Sequence, residues 1–204
     1  GPLTRILQYL QGQIEHSELE NTYIRLHGQV VLMNSPNAEP IPHKDLPCPN
    51  YEGLPLNQYI SFLDVLNPMH RLWSDGRWNK LTIAHGCYWK QCSFCDVSLD
   101  YISRYQNTTA EDLVNKIEAL IEQTGTTGFH FVDEAAPPQA LKKLAKLLIQ
   151  REVHITWWVN IRFEKTFDDE FCQLLAQSGC IAVTGGLETA SDRLLKKMSK
   201  GVDI

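Results

Sequence analysis

No run of apolar residues in this 204-residue chain approaches the roughly 20 that a membrane-spanning helix needs, and the opening residues lack the basic-then-apolar pattern of a secretion signal. The expectation is a cytoplasmic protein with no membrane partner. Positive charge is in short supply too: 19 Lys and Arg stand against 24 Asp and Glu, for a formal net charge of -5. Bulk electrostatics therefore gives no pull toward a polyanion. Sequence repeats and low-complexity tracts are missing, and with 43% hydrophobic and 21% charged residues the chain is too apolar to stay disordered. Cysteine is scarce and uneven. Three of the six cysteines, Cys87, Cys92 and Cys95, fall within nine positions of "HGCYWKQCSFCDV", with no fourth nearby.

The text changes character near residue 80. Residues 1–79 hold a short apolar-periodic stretch, "LTRILQYLQG", a strand signal at "QVVLM", and a long segment punctuated by Pro36, Pro40, Pro42, Pro47, Pro49, Pro55 and Pro68. So much proline disfavours continuous helix or a central strand. This part reads as an extended linker or wrapping segment, of the kind that tails an upstream domain. Residues 80–204 read as the core.

From Leu81 a regular alternation begins. "LTIAH" reads as a strand, and "TTAEDLVNKIEALIEQTG" as a helix with a Thr108–Glu111 capping box and Gly125 as its stop. "GFHFV" is a second strand and Gln139 to Gln150 a second helix. "VHITWWV" follows as a strand that sets Trp157 and Trp158 on opposite faces of a sheet. Residues 167–178 read as a helix capped by Thr166 and stopped by Gly179, "CIAVT" as a strand, and Ser191 as the cap of a last helix. Four β-α units in succession imply an α/β fold with a parallel sheet and helical crossovers.

In such sheets reactive residues gather at the carboxyl ends of the strands. The cysteine loop follows the first strand, Asp133 and Glu134 the second, Asn160 and Arg162 the third, and Thr184, Gly185, Gly186 and Glu188 the fourth. Three chemistries compete for the cysteine triplet. A structural zinc site needs four ligands, and here His85 is the fourth on offer. Small buried thiols are the ordinary state of free cysteine and suit Cys172 and Cys180. An iron-sulfur cluster is normally held by four thiolates, and three would leave one iron able to bind something else. Asp133 and Glu134 equally suit the cap of the following helix, and Arg162 an exposed ion pair.

The triplet after the first strand, aromatic Phe94 just before the last cysteine, and the succession of β-α units resemble the radical S-adenosylmethionine superfamily. Spacing in that superfamily is usually three residues and then two; here it is four and then two. "CPNYEGLPLNQYI", "FVDEAAPP", "ITWWVNIRFEK" and "GGLETASDRLLKKMSKG" are similar to the subgroup whose members often carry an N-terminal cobalamin-binding domain. The resemblance implies a partial parallel (β/α) barrel, about four of the usual six β-α units, in a truncated core.

It also implies a mechanism. Cys87, Cys92 and Cys95 would ligate a 4Fe-4S cluster whose fourth iron chelates S-adenosylmethionine, and an electron passed into the sulfonium would release a 5'-deoxyadenosyl radical. A flavodoxin- or ferredoxin-like reductant would supply that electron, and the full-length protein would add cobalamin. Asp133 or Glu134 would serve the ammonium of S-adenosylmethionine, Glu188 the ribose, and Arg162 a carboxylate, with Phe94, Asn160, Gly185 and Gly186 completing the cofactor site. A sheet cut after its fourth strand would self-associate and be catalytically inert even if it binds a cluster. The alternative is a zinc-binding or other non-catalytic metal module.

Overall fold

The structure, a computed structural model, describes residues 1–34, 41–59 and 78–204; Pro36, Pro40 and Pro68 of the proline-rich segment lie outside them. The chain forms two compact units, Gly1–Leu46 and Pro47–Ile204. In the first, helix α1 (Pro2–Leu10) is followed by a hairpin of β1 (Thr22–Leu26) and β2 (Gln29–Met33). His27 and Gly28 turn the hairpin with φ of +48° and +84°, the left-handed pair that a two-residue turn between twisted strands requires. Arg5 pairs with Glu20 at 3.0 Å.

The second unit is built on four parallel strands in chain order: β3 (Asn79–Leu81), β6 (Gly128–Phe131), β7 (Thr156–Asn160) and β8 (Cys180–Thr184). Between β3 and β6, β4 (Ala84–His85) pairs antiparallel with β5 (Gln106–Asn107), and a short helix α2 (Asp100–Ser103) lies in the excursion between them. The crossovers are α3 (Ala110–Thr124), α4 (Pro138–Gln150) and α5 (Asp169–Gln177), and α6 (Asp192–Lys197) follows β8. The expected parallel α/β sheet is present.

Side-chain alternation along the strands decides where the core sits. Leu81, Phe129, Phe131, Trp157 and Val159 point to one face and pack with Leu113, Ile117 and Leu120 of α3, Leu141, Leu144 and Leu148 of α4, and Phe171 and Leu175 of α5. Each fully buried side chain of this size contributes roughly 1.5–3 kcal/mol. Trp157 donates its ring N–H to the Ser178 carbonyl at 3.0 Å. Trp158 points the other way and stacks on His130, with ring centroids 3.5 Å apart, so the two tryptophans do occupy opposite faces. Within this unit the stretch around Cys48 and Tyr51 lies against α3: Cys48 Sγ donates to the Lys116 carbonyl, and the Tyr51 N–H donates to Gln123 Oε1.

Three local expectations shift by a residue or two. The strand expected over "LTIAH" breaks after Leu81, because Ala84 and His85 leave the parallel sheet to pair with Gln106 and Asn107. Thr109, not Thr108, caps α3, accepting from the Asp112 N–H at 3.1 Å. Both threonines have an acidic residue three positions on. The tie is broken by tertiary structure, since the Thr108 N–H donates to the Ile83 carbonyl. Asp168 replaces Thr166 as the cap of α5, accepting from the Phe171 N–H at 2.8 Å.

Candidate functional site

The cysteine loop is tied at its neck and at its far side. Gly86, at φ +77°, brings the chain so near the segment between α2 and β5 that a β-carbon would stand 2.5 Å from the Arg104 carbonyl oxygen. Only glycine accepts both that angle and that approach. The Cys87 N–H donates to the Ile102 carbonyl, and the Cys95 N–H closes a turn onto the Cys92 carbonyl at 3.1 Å. Ser93 donates to the carbonyl of Met198, anchoring the loop to the end of α6.

This folding brings Cys87, Cys92 and Cys95 to one cavity of about 190 Å³, shared with Phe94, Glu134, Ala135, Ile161, Arg162, Gly186, Glu188, Lys90 and Lys200. Burial raises the Cys95 thiol above its ordinary range, helped by the Cys92 and Cys87 sulfurs and opposed by Lys200. A thiol whose ionisation its neighbours oppose gains from a nearby cation, a condition that a metal cluster meets. Among the described residues, no three His, Cys, Asp or Glu side chains close on a single metal ion, and His85 does not line the cavity. The remaining cysteines lie apart. Cys172 donates to the Phe167 carbonyl, and burial pushes Cys180 up to about 12.

The residues expected at the strand ends divide into two sets. Glu134, Arg162, Gly186 and Glu188 line the cavity with Phe94 and the cysteines; Asp133, Asn160 and Gly185 do not. Asp133 is 2% exposed, and its two carboxylate oxygens accept the backbone N–H groups of Ile83 (3.0 Å) and Ala84 (2.7 Å). It fixes the start of the cysteine loop to the end of β6. Burial lifts its carboxyl to about 7, although those two N–H groups pull the other way. Asn160 braces the next strand ends, donating to the Asp133 carbonyl and accepting from the Thr184 hydroxyl. Gly185 lies where a β-carbon would meet the Ile161 carbonyl oxygen at 2.4 Å.

Arg162 is buried rather than an exposed ion-pair residue. Its Nε donates to Glu164 at 2.9 Å, its Nη2 donates to the Lys200 carbonyl, and its guanidinium lies 4.6 Å from the Trp89 ring centroid. Glu188 adopts a left-handed backbone, φ +66°, that folds its carboxylate back over the bare α-carbon of Gly186. There it accepts from Lys200 Nζ at 3.0 Å, and the same ammonium lies 5.6 Å from the Phe94 ring. Sequence reasoning passed over Lys200, Lys90, Trp89 and Glu164. The one available signal for Lys200 was its place in "KKMSKG", where three other basic or polar residues disguise it.

The profile described as the Radical SAM superfamily matches residues 81–204, more than half of the chain. An uncharacterized methyltransferase of Pyrococcus horikoshii is 25% identical over 197 residues, covering 95% of this chain and 38% of that protein. The cytidylyl-2-hydroxyethylphosphonate methyltransferase of Streptomyces wedmorensis is 22% identical over 163 residues, covering 76% of this chain and 28% of that protein. The chain thus spans well under half the length of these relatives. Its fold is similar to that of the apo, selenomethionine-labelled form of OxsB, a cobalamin-dependent S-adenosylmethionine radical enzyme. The TM-score is 0.64 at 17% identity, over 99% of this chain and 28% of that one. With the triplet cavity at the head of a parallel α/β sheet and a family match running from the first core strand to the last residue, the chain belongs to the radical SAM superfamily.

Proposed function

We propose that this chain is core of a radical S-adenosylmethionine enzyme in which Cys87, Cys92 and Cys95 hold a 4Fe-4S cluster and the adjoining strand ends hold S-adenosylmethionine. The observation that carries this reading is the convergence of the three thiols on one cavity with Glu134, Gly186 and Glu188. When bound, cluster and S-adenosylmethionine together supply one-electron cleavage of a carbon-sulfur bond and abstraction of a hydrogen atom from substrate. Three thiolates would leave one iron for the amino and carboxylate groups of S-adenosylmethionine.

The protein's part is orientation and charge. Glu134, rather than the buried Asp133, would present a carboxylate to the N–H groups of that amino group. Glu188, now paired with Lys200, would accept from the ribose hydroxyls. Lys200 would be the cation to pair with the S-adenosylmethionine carboxylate, because Arg162 already spends Nε on Glu164 and Nη2 on a carbonyl. The full protein would draw its electron from a flavodoxin- or ferredoxin-like donor. The names of the two curated relatives and of the solved structure favour cobalamin-assisted methyl transfer as the reaction class.

Anaerobic reconstitution with iron and sulfide tests the first step. A brown product with about four irons per chain, perturbed by added S-adenosylmethionine, is the expected result. A colourless product that takes up zinc and no iron-sulfur cluster would replace this reading with a non-catalytic metal module. The full-length protein is then assayed for formation of 5'-deoxyadenosine with a low-potential reductant.

A further inference from the structure

A guanidinium taken out of water is costly unless its charge and its N–H groups find partners. Arg162 is 5% exposed, and its partners come from three separate segments. Glu164 accepts from Nε, the Lys200 carbonyl accepts from Nη2, and the cation lies over the rings of Trp89 and Tyr88, 4.6 and 5.8 Å from their centroids. Each of those groups is itself fixed. Trp89 donates its ring N–H to the Ser199 carbonyl at 2.8 Å, and the Tyr88 hydroxyl donates to Glu164 Oε1 at 2.8 Å. The remaining direction, that of Nη1, is toward Cys92 Sγ, 4.0 Å away.

Nε, Nη2 and the rings already fasten the loop, and they leave Nη1 facing Cys92 Sγ. Aiming a further donor at a thiol adds little, because a neutral sulfur is a weak acceptor. An iron-bound thiolate carries negative charge, and hydrogen bonds to a charged acceptor are much stronger than those between neutral groups. The geometry therefore suits the liganded state of Cys92.

We propose that Arg162 is a positioning residue for the cluster: it donates an N–H···S hydrogen bond to the thiolate of Cys92 and thereby eases reduction of the cluster, while Glu164 limits how much of its charge the sulfur feels. The inference rests on Cys92 being a cluster ligand, as proposed above. Positive charge and hydrogen bonds at the sulfurs favour the more negative, reduced form, so they raise the potential.

The test compares wild type, Arg162→Gln, Arg162→Lys and Glu164→Gln after reconstitution, with iron and sulfide quantified and the midpoint potential obtained by equilibrium titration. Arg162→Gln should lower the reduction equilibrium constant about tenfold, which is about 59 mV for one electron. Arg162→Lys should fall between it and wild type, and Glu164→Gln should move the potential the opposite way. Full cluster content with an unchanged potential in Arg162→Gln would make the residue a fastener only and overturn the inference. Weakened S-adenosylmethionine binding at unchanged potential would also overturn it, by assigning Arg162 to the cofactor. Should Arg162→Gln fail to fold, Glu164→Gln decides alone: a positive shift supports the inference and none refutes it. Failure of wild type to form a cluster would refute both this inference and the functional reading beneath it.

Discussion

Gly201→Ala should weaken the second unit far more than one added methyl suggests. Gly201 has φ +73°, and a β-carbon there would stand 1.9 Å from Cζ2 of Trp89 and 2.2 Å from Cη2. The left-handed backbone costs an alanine roughly 1–2 kcal/mol. Overpacking adds roughly 1–3 kcal/mol, and the indole cannot swing aside without giving up its hydrogen bond to Ser199 and its place over Arg162. The expected loss is roughly 2–5 kcal/mol, read from urea denaturation followed by tryptophan fluorescence. Trp89→Ala in the same background removes the clash and leaves the strain, so the two changes should couple by about 1 kcal/mol or more in a double-mutant cycle. A Gly201→Ala protein within about 0.5 kcal/mol of wild type, or strict additivity with Trp89→Ala, would refute this account of the close approach.

Cys87→Ala, Cys92→Ala and Cys95→Ala should each abolish cluster binding, whereas Cys48→Ala, Cys172→Ala and Cys180→Ala should not; full iron content in any of the first three would contradict the ligand assignment. Glu188→Gln should leave iron content intact and weaken S-adenosylmethionine binding, because charge-assisted hydrogen bonds worth roughly 1.5–3 kcal/mol are lost; unchanged affinity by calorimetry would return Glu188 to a packing role. The folded-state carboxyl of Asp133 is held up at about 7, above the ordinary value near 3.9, so the stability tied to its proton is full below about pH 4 and is lost as pH rises through about 7. Asp133→Asn should flatten that part of the pH profile, and superimposable urea midpoints for the two proteins from pH 4 to 8 would contradict it. Strand β8 ends the sheet among the described residues with Ile181 and Val183 exposed, and such an edge tends to pair with another copy; light scattering should show association that Val183→Lys reduces, and a monomer at all concentrations would count against it.

Much of the architecture was legible in one dimension because local chemistry and tertiary structure agree there. The apolar spacing of Leu113, Ile117 and Leu120 gives a helix whichever sheet it meets, and Gly125 at φ +66° ends it. Strands 128–131, 156–160 and 180–184 were visible for the same reason, as was the triplet of cysteines, whose spacing is itself the chemical signal. Capping was less legible, since Thr108 and Thr109 both satisfy the same local rule and a hydrogen bond to Ile83 chooses between them.

What the sequence by itself determined is the set of chemical groups and the order in which strand ends present them. Only the tertiary structure decided which of those groups face the cavity. Asp133 and Glu134 are adjacent and chemically alike, yet backbone alternation buries the first against Ile83 and Ala84 and leaves the second to line the site. Arg162 and Lys200 stand 38 residues apart and Trp89 lies further still, so no local pattern could join them. They meet because the cysteine loop and the segment after α6 fold back over the end of the same sheet, and a buried guanidinium must find its partners wherever the fold brings them.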